Sequence, residues 1–208
     1  MKNIFISRTW AMLLAACFFL ASCDKDDEGL ETQPHDENKM MNIMHSMMTQ
    51  MQGMQMTGDP DIDFAKMMIM HHQGAINMSN EEIASGDDAT MKAKAQKIKA
   101  EQEKEIQEFN AFLTNRQPDQ SDMAFGMEQM KAMEKMGRAS DLRVITGDID
   151  HDFAQLMIPH HQTAMENSQS LLHHGNSPEM KAKAQAIIDS QMQDIKDLQE
   201  WLLVNKKY

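Results

Sequence analysis

Apolar positions along this chain recur at intervals of three and four, not two. In the stretch from Asp61, "DIDFAKMMIMHHQGAINMSNEEIAS", Phe64, Met68, Ala75, Ser79 and Ile83 fall on one stripe when wound at ~100° per residue. Ala65 and Ile76 widen that stripe, and Lys66, Asn77 and Asn80 fall opposite it. Such a pattern predicts an amphipathic helix. The same reading predicts helices over 39–52, 61–85, 89–115, 122–138, 150–174 and 178–205, with no strand pattern anywhere. Boundary residues agree. "SGDDAT" and "HGNSPE" break the chain between helical runs, and Gly86 and Gly175 suit a left-handed position just past a helix. Ser177 is a cap candidate followed by Pro178 and Glu179, which favour a first turn. Asp59, Asp61, Asp148 and Asp150 are cap candidates for the helices that begin beside them.

The pattern occurs twice. "DPDIDFAKMMIMHHQGAINMS" from Asp59 aligns without gaps on "DIDHDFAQLMIPHHQTAMENS" from Asp148, 89 residues later. The match runs on through "MKAKAQKI" and "MKAKAQAI", and upstream Met41, Met44 and Met47 fall on Met130, Met133 and Met136. Each copy has a Met-rich helix, a helix carrying the phrase HHQ and a third helix. The expected fold is all-α: a four-helix bundle of two duplicated helix pairs, with the Met-rich helices flanking it.

The N-terminal segment stands outside that pattern. Residues 1–22 have Lys2 and Arg8 ahead of the apolar run "AMLLAACFFL", the signature of a secretory signal. The run ends in "LASC", which resembles a bacterial lipoprotein cleavage box with Cys23 as the lipidated residue. Residues 23–38 are polar and acidic and are expected to form a disordered tether. The helical domain is then 39–208, with repeats at 39–116 and 122–208. These features predict a cell-envelope protein, lipid-anchored to the outer membrane on its periplasmic side or at the cell surface. The only cysteines are Cys17 and Cys23, so a mature chain acylated at Cys23 has no thiol to offer a metal. A formal net charge of −12 argues against nucleic acid as a partner.

Candidate chemistry lies in imidazole and thioether. On the helical plot His72 falls inside the apolar stripe and His71 at its edge, and His161 and His160 repeat the arrangement. Buried imidazoles need a partner for each ring nitrogen. The third helices carry Gln102, Glu105, Gln191 and Asp194 amid apolar neighbours, and the two carboxylates suit the role of orienting the rings from behind. Methionine is the other excess, at 24 residues against one Tyr and two Trp. In "KMMNIMHSMMTQMQGMQM" from Lys39, Ile43 is the lone branched aliphatic, so core filling explains the methionines poorly. Thioether sulfur favours Cu(I), and by the same softness Ag(I), and imidazole suits copper generally. The candidate metal ligands are His71, His72, His160, His161, Met67, Met68, Met157, Met44, His45, Met47, Met48, Met51, Met130 and Met133.

Together "DFAKMMIMHHQGA", "DFAQLMIPHHQTA", the endings "EIQEFNAFL" and "DIKDLQEWL" and the Met-rich flanks resemble a bacterial family of domains of unknown function. That family has paired HHQ motifs and a ferritin-like bundle, and is typified by a periplasmic copper-binding protein. The resemblance implies copper binding in tolerance or sequestration, through His71, His72, His160, His161 and nearby Met. It implies no enzyme activity, and the Glu-x-x-His of di-iron carboxylate bundles does not occur in the chain. The competing reading is a cell-envelope interaction module whose Met-rich surface adapts to a partner without metal.

Overall fold

The computed structural model describes residues 31–205. A single 3-10 turn, His35–Glu37, leads into six helices: α1 (Lys39–Gln52), α2 (Pro60–Ser85), α3 (Ala89–Leu113), α4 (Met123–Asp141), α5 (Ile149–His174) and α6 (Pro178–Val204). Among the described residues there is no strand. The expected all-α bundle is the observed fold, and the duplication is exact in α2 and α5, whose ends differ by 89 residues.

Local chemistry fixes the helix starts. Asp59 accepts hydrogen bonds from the Asp61 and Ile62 amides, and Asp148 from that of His151. Asn38, Asp88, Asp122 and Ser177 cap the other four helices in the same way. Each such cap is worth ~0.5–2 kcal/mol. A second aspartate ties the preceding loop to each HHQ helix. Asp63 accepts from the Thr57 amide and hydroxyl and the Gly58 amide, and Asp152 accepts from the same groups of Thr146 and Gly147. Gly58 (φ 87°) and Gly147 (φ 79°) turn through the left-handed region there, which side chains with a Cβ rarely enter.

Asp61 and Asp150 were expected to cap their own helices and do not. Asp150 accepts from the amides of Asp87 and Asp88 at 2.9 and 3.0 Å, at the start of α3 in the other half. Asp61 accepts from Asn176 and Ser177 at 3.0 and 2.9 Å, at the start of α6. Gly86 and Gly175 also differ from expectation. Their φ values, −66° and −70°, are not left-handed. Glycine is needed for space instead: a Cβ on Gly86 would lie 2.8 Å from Asp150 Oδ1, and one on Gly175 2.7 Å from Asp61 Oδ1.

α2 and α5 run antiparallel through the centre, with α3 and α6 on one flank and α1 and α4 on the other. Phe64 and Phe109 meet edge to face at 5.9 Å between α2 and α3, a geometry worth ~0.5–1.5 kcal/mol beyond burial. Lys183 pairs with Glu108 at 2.7 Å, and Lys94 pairs with Asp197 in the equivalent place, so ion pairs link α3 to α6 on both sides of the seam.

The end of the expected tether is not free. The Gln33 amide donates to the Ile145 carbonyl at 2.7 Å, and His35 Nε2 lies 2.9 Å from the Arg143 carbonyl. Asn38 is 1% exposed and donates to Asp152 Oδ2 at 2.7 Å. These polar residues find hydrogen-bond partners in the α4–α5 loop and the first turn of α5, which composition alone does not reveal. The signal peptide and Cys23 lie outside the described residues.

Candidate metal-binding sites

Because the two halves pack face to face through α2 and α5, the four HHQ histidines meet at their junction. All four are fully buried. His71 and His160 rings stack at 3.6 Å between centroids, while His72 and His161 lie 6.2 and 5.9 Å from their own neighbours. His160 Nε2 is 3.1 Å from the His71 carbonyl. The other seven ring nitrogens have no hydrogen-bond partner among the described residues.

The expected carboxylates stand behind the outer pair. Glu105 Oε2 is 2.7 Å from His72 Nε2, at an angle poor for a hydrogen bond. Asp194 Oδ2 is farther from His161 Nε2, at 3.8 Å, because Lys97 and Lys94 hold its other oxygen at 3.0 and 3.3 Å. Gln102 and Gln191 are buried, but their side-chain oxygens have no hydrogen-bond partner among the described residues. Burial first, and neighbouring imidazoles second, hold His71 and His161 well below the usual histidine range. His160 is lowered to about 3, by burial and then by His72. These rings are therefore neutral near pH 7, the form in which a ring nitrogen lone pair can bind a metal.

The second arrangement is a cleft of about 480 Å³ between α1, the loop after it, α2 and α4. Eight methionines line it: Met48, Met51, Met54, Met56, Met67, Met127, Met130 and Met133, together with Gln52, Gln129, Lys131 and Glu134. Met67, Met133 and Met51 are buried at 3, 7 and 9% exposure, and Met127 and Met130 stand out at 67 and 58%. Met67 joins the two arrangements, lining the cleft one helical turn before His71. Among the described residues no three His, Cys, Asp or Glu side chains converge as a metal site. The donor set that does converge is thioether, which is soft.

The candidate ligands thus divide. Met67, Met133, Met48, Met51 and Met130 share the cleft. Met44, Met47, Met68 and Met157 are buried in the core and do not line it. His45 is on the surface, where Nε2 pairs with Asp141 at 2.9 Å. Sequence reasoning missed Met54, Met56 and Met127 as a group with these, and missed two buried amides beside them, Gln129 and Asn167. A signal for the amides was available: their counterparts 89 residues earlier are Met40 and Met78.

The sequence matches the family described as domain of unknown function (DUF305) over residues 19–113 and again over 61–202. No curated protein matches it. Among solved structures, CopM in the Ag-bound form is similar at a TM-score of 0.54 and 28% identity, covering 74% of this chain and 99% of that one. CopM in the Cu(I)-bound form gives 0.52 and 28%, covering 72% and 97%. A DUF305 protein from Streptomyces coelicolor shares the fold, at 0.56 and 23% identity over 71% and 94%.

Proposed function

Because the chain belongs to the DUF305 family, matched across both of its halves, we propose that it is an extracytoplasmic copper-binding protein that buffers or sequesters Cu(I) through Met and His. The cleft of eight methionines carries this reading. Thioethers hold Cu(I) without thiolate, and the described residues contain no cysteine. The neutral histidines behind Met67 offer a second, harder donor set within the same fold. CopM, 28% identical, has been crystallised with Ag, Cu(I) and Cu(II), which supports the same cargo here. Copper is bound rather than transformed, so the protein is read as a binder and not an enzyme. Lipidation at Cys23 would hold it to the outer membrane.

Titration of the protein with Cu(I) against a competing chelator, and with Ag(I) as surrogate, tests the proposal. At least one equivalent is expected to be retained. Replacing Met67 and Met133 together with Leu should weaken it by at least about tenfold, or ~1.4 kcal/mol, without loss of helix. Retention no better than that of a scrambled Met-rich peptide would sink the proposal. The exposed row Met123, Met127 and Met130 on α4 also fits an adaptable protein-binding surface, and that second reading gains if copper is not held.

A further inference from the structure

Two amides interrupt the thioether pattern, Gln129 in the lining of the cleft and Asn167 against the sulfurs of the lining residues Met67 and Met133. Asn167 on α5 and Gln129 on α4 are 1 and 2% exposed. Asn167 Nδ2 donates to Met67 Sδ at 3.4 Å and lies 3.8 Å from Met133 Sδ. Gln129 Nε2 donates to the Asn167 backbone carbonyl at 3.3 Å, which fixes the way its amide faces. The oxygens, Asn167 Oδ1 and Gln129 Oε1, have no hydrogen-bond partner among the described residues. Buried polar atoms left unpaired are uncommon in folded proteins and call for an explanation.

The duplication supplies an internal comparison. The equivalent positions are Met78 and Met40, both fully buried. There the side chains are thioethers that need no hydrogen-bond partner. Where the amides stand, Met127 and Met130 are turned out to solvent and the cleft lies between the helices. An amide is a poor choice for filling an apolar gap, and a good one for fixing a flexible neighbour or meeting a cation.

We propose that Asn167 and Gln129 are the positioning and selecting pair of this cleft. Asn167 holds the Met67 and Met133 thioethers in place, and Gln129 Oε1 supplies an oxygen ligand to a soft monovalent cation bound by them. The proposal rests on the copper reading above and adds a residue-level account of it. A thioether side chain has three rotatable bonds, and an N–H on one sulfur lone pair restricts them while leaving the other lone pair for metal. Such outer partners commonly contribute 10–100-fold to metal affinity.

The test uses Ag(I) added to the full-length, isotope-labelled protein, followed by NMR at the Met methyls and the side-chain amides. The Gln129 and Asn167 NH₂ signals should move in step with the Met67 and Met133 methyls. Movement of the methyls without the amides overturns this inference alone. Absence of response at either methyl overturns the copper reading of the cleft, and this inference with it. As a second measurement, Gln129→Met and Asn167→Met restore the residues of the other half. Each should bind Ag(I) and Cu(I) at least about tenfold more weakly in chelator competition. Unchanged or tighter binding in both overturns the inference.

Discussion

His71 and His160 stack at 3.6 Å, and each is the other's counterpart in the duplicated sequence. A residue can touch its own counterpart only beside the axis that relates the two halves. The imidazole pair therefore marks that axis, with both rings fully buried.

Burial of the rings predicts acid sensitivity. The unfolded chain takes up protons on histidine near pH 6.5, whereas the folded chain resists until about pH 3 at His160. Stability contributed by His71, His160 and His161 is thus complete above pH 6.5 and lost as pH falls below it. The slope is about 1.4 kcal/mol per pH unit for each ring. Urea unfolding at pH 7, 6 and 5 should show a steep fall, and a flat profile would contradict the neutral-ring assignment.

Glu82 predicts the opposite slope in alkali. It is fully buried, and desolvation first, then Asp150, push its carboxyl up to about 9. The folded chain keeps this proton to about pH 9, while the unfolded chain gives it up at its ordinary 4.5, so stability falls as pH rises between them. The counterpart of Glu82 is Leu171. Glu82→Leu should raise the Tm at pH 8 and change it little at pH 4.5. Equal melting of variant and parent at pH 8 would count against a buried, protonated Glu82.

Gly74→Thr should loosen α1. The second half carries Thr163 at the equivalent place, but here a Cβ would lie 2.3 Å from Met47 Sδ and 2.9 Å from its Cγ. Overpacking of this kind typically costs about 1–3 kcal/mol. Hydrogen exchange should accelerate in α1 more than in α3 or α6. If all helices exchange as before, α1 does not depend on that contact.

Oxidant footprinting should separate methionines that hold metal from those that are merely exposed. Met123, Met127, Met130 and Met192 are 73, 67, 58 and 54% exposed and should become sulfoxides first under mild peroxide. Ag(I) should protect Met127 and Met130, which line the cleft, and leave Met123 and Met192 unprotected. Peptide mass spectrometry reads the pattern, and uniform protection would argue against a localised site.

The helices were legible because their signals are local. Caps such as Asp59, Asp148 and Ser177, and a periodicity kept in both copies, set boundaries close to those observed. The inward lean of His71, His72, His160 and His161 follows from the same periodicity. Asp61 and Asp150 were misassigned because the amides they serve lie more than a hundred and more than sixty residues away, respectively, in the case of Asn176 and Asp87. Gly86 and Gly175 were misread because glycine serves two needs, left-handed backbone and close approach, that a sequence does not distinguish. The cleft was illegible for a third reason. Met54 and Met56 sit outside any helix, and no spacing rule links them to Met67 or Met133.

The exchanged carboxylates Asp61 and Asp150 have a further consequence. The loop leading into the third helix of each half is held by a carboxylate that the other half owns, so an isolated half would keep its own Asp88 or Ser177 cap and lose these loop hydrogen bonds. A second copy could furnish that carboxylate. The chain is in this sense a two-fold homodimer written as one polypeptide, with residues 114–122 as the splice between subunits. Covalent joining frees that association from dilution. It also allows the subunits to differ, which identical chains cannot do: at two equivalent buried positions one half has Met40 and Met78 and the other the amides of Gln129 and Asn167.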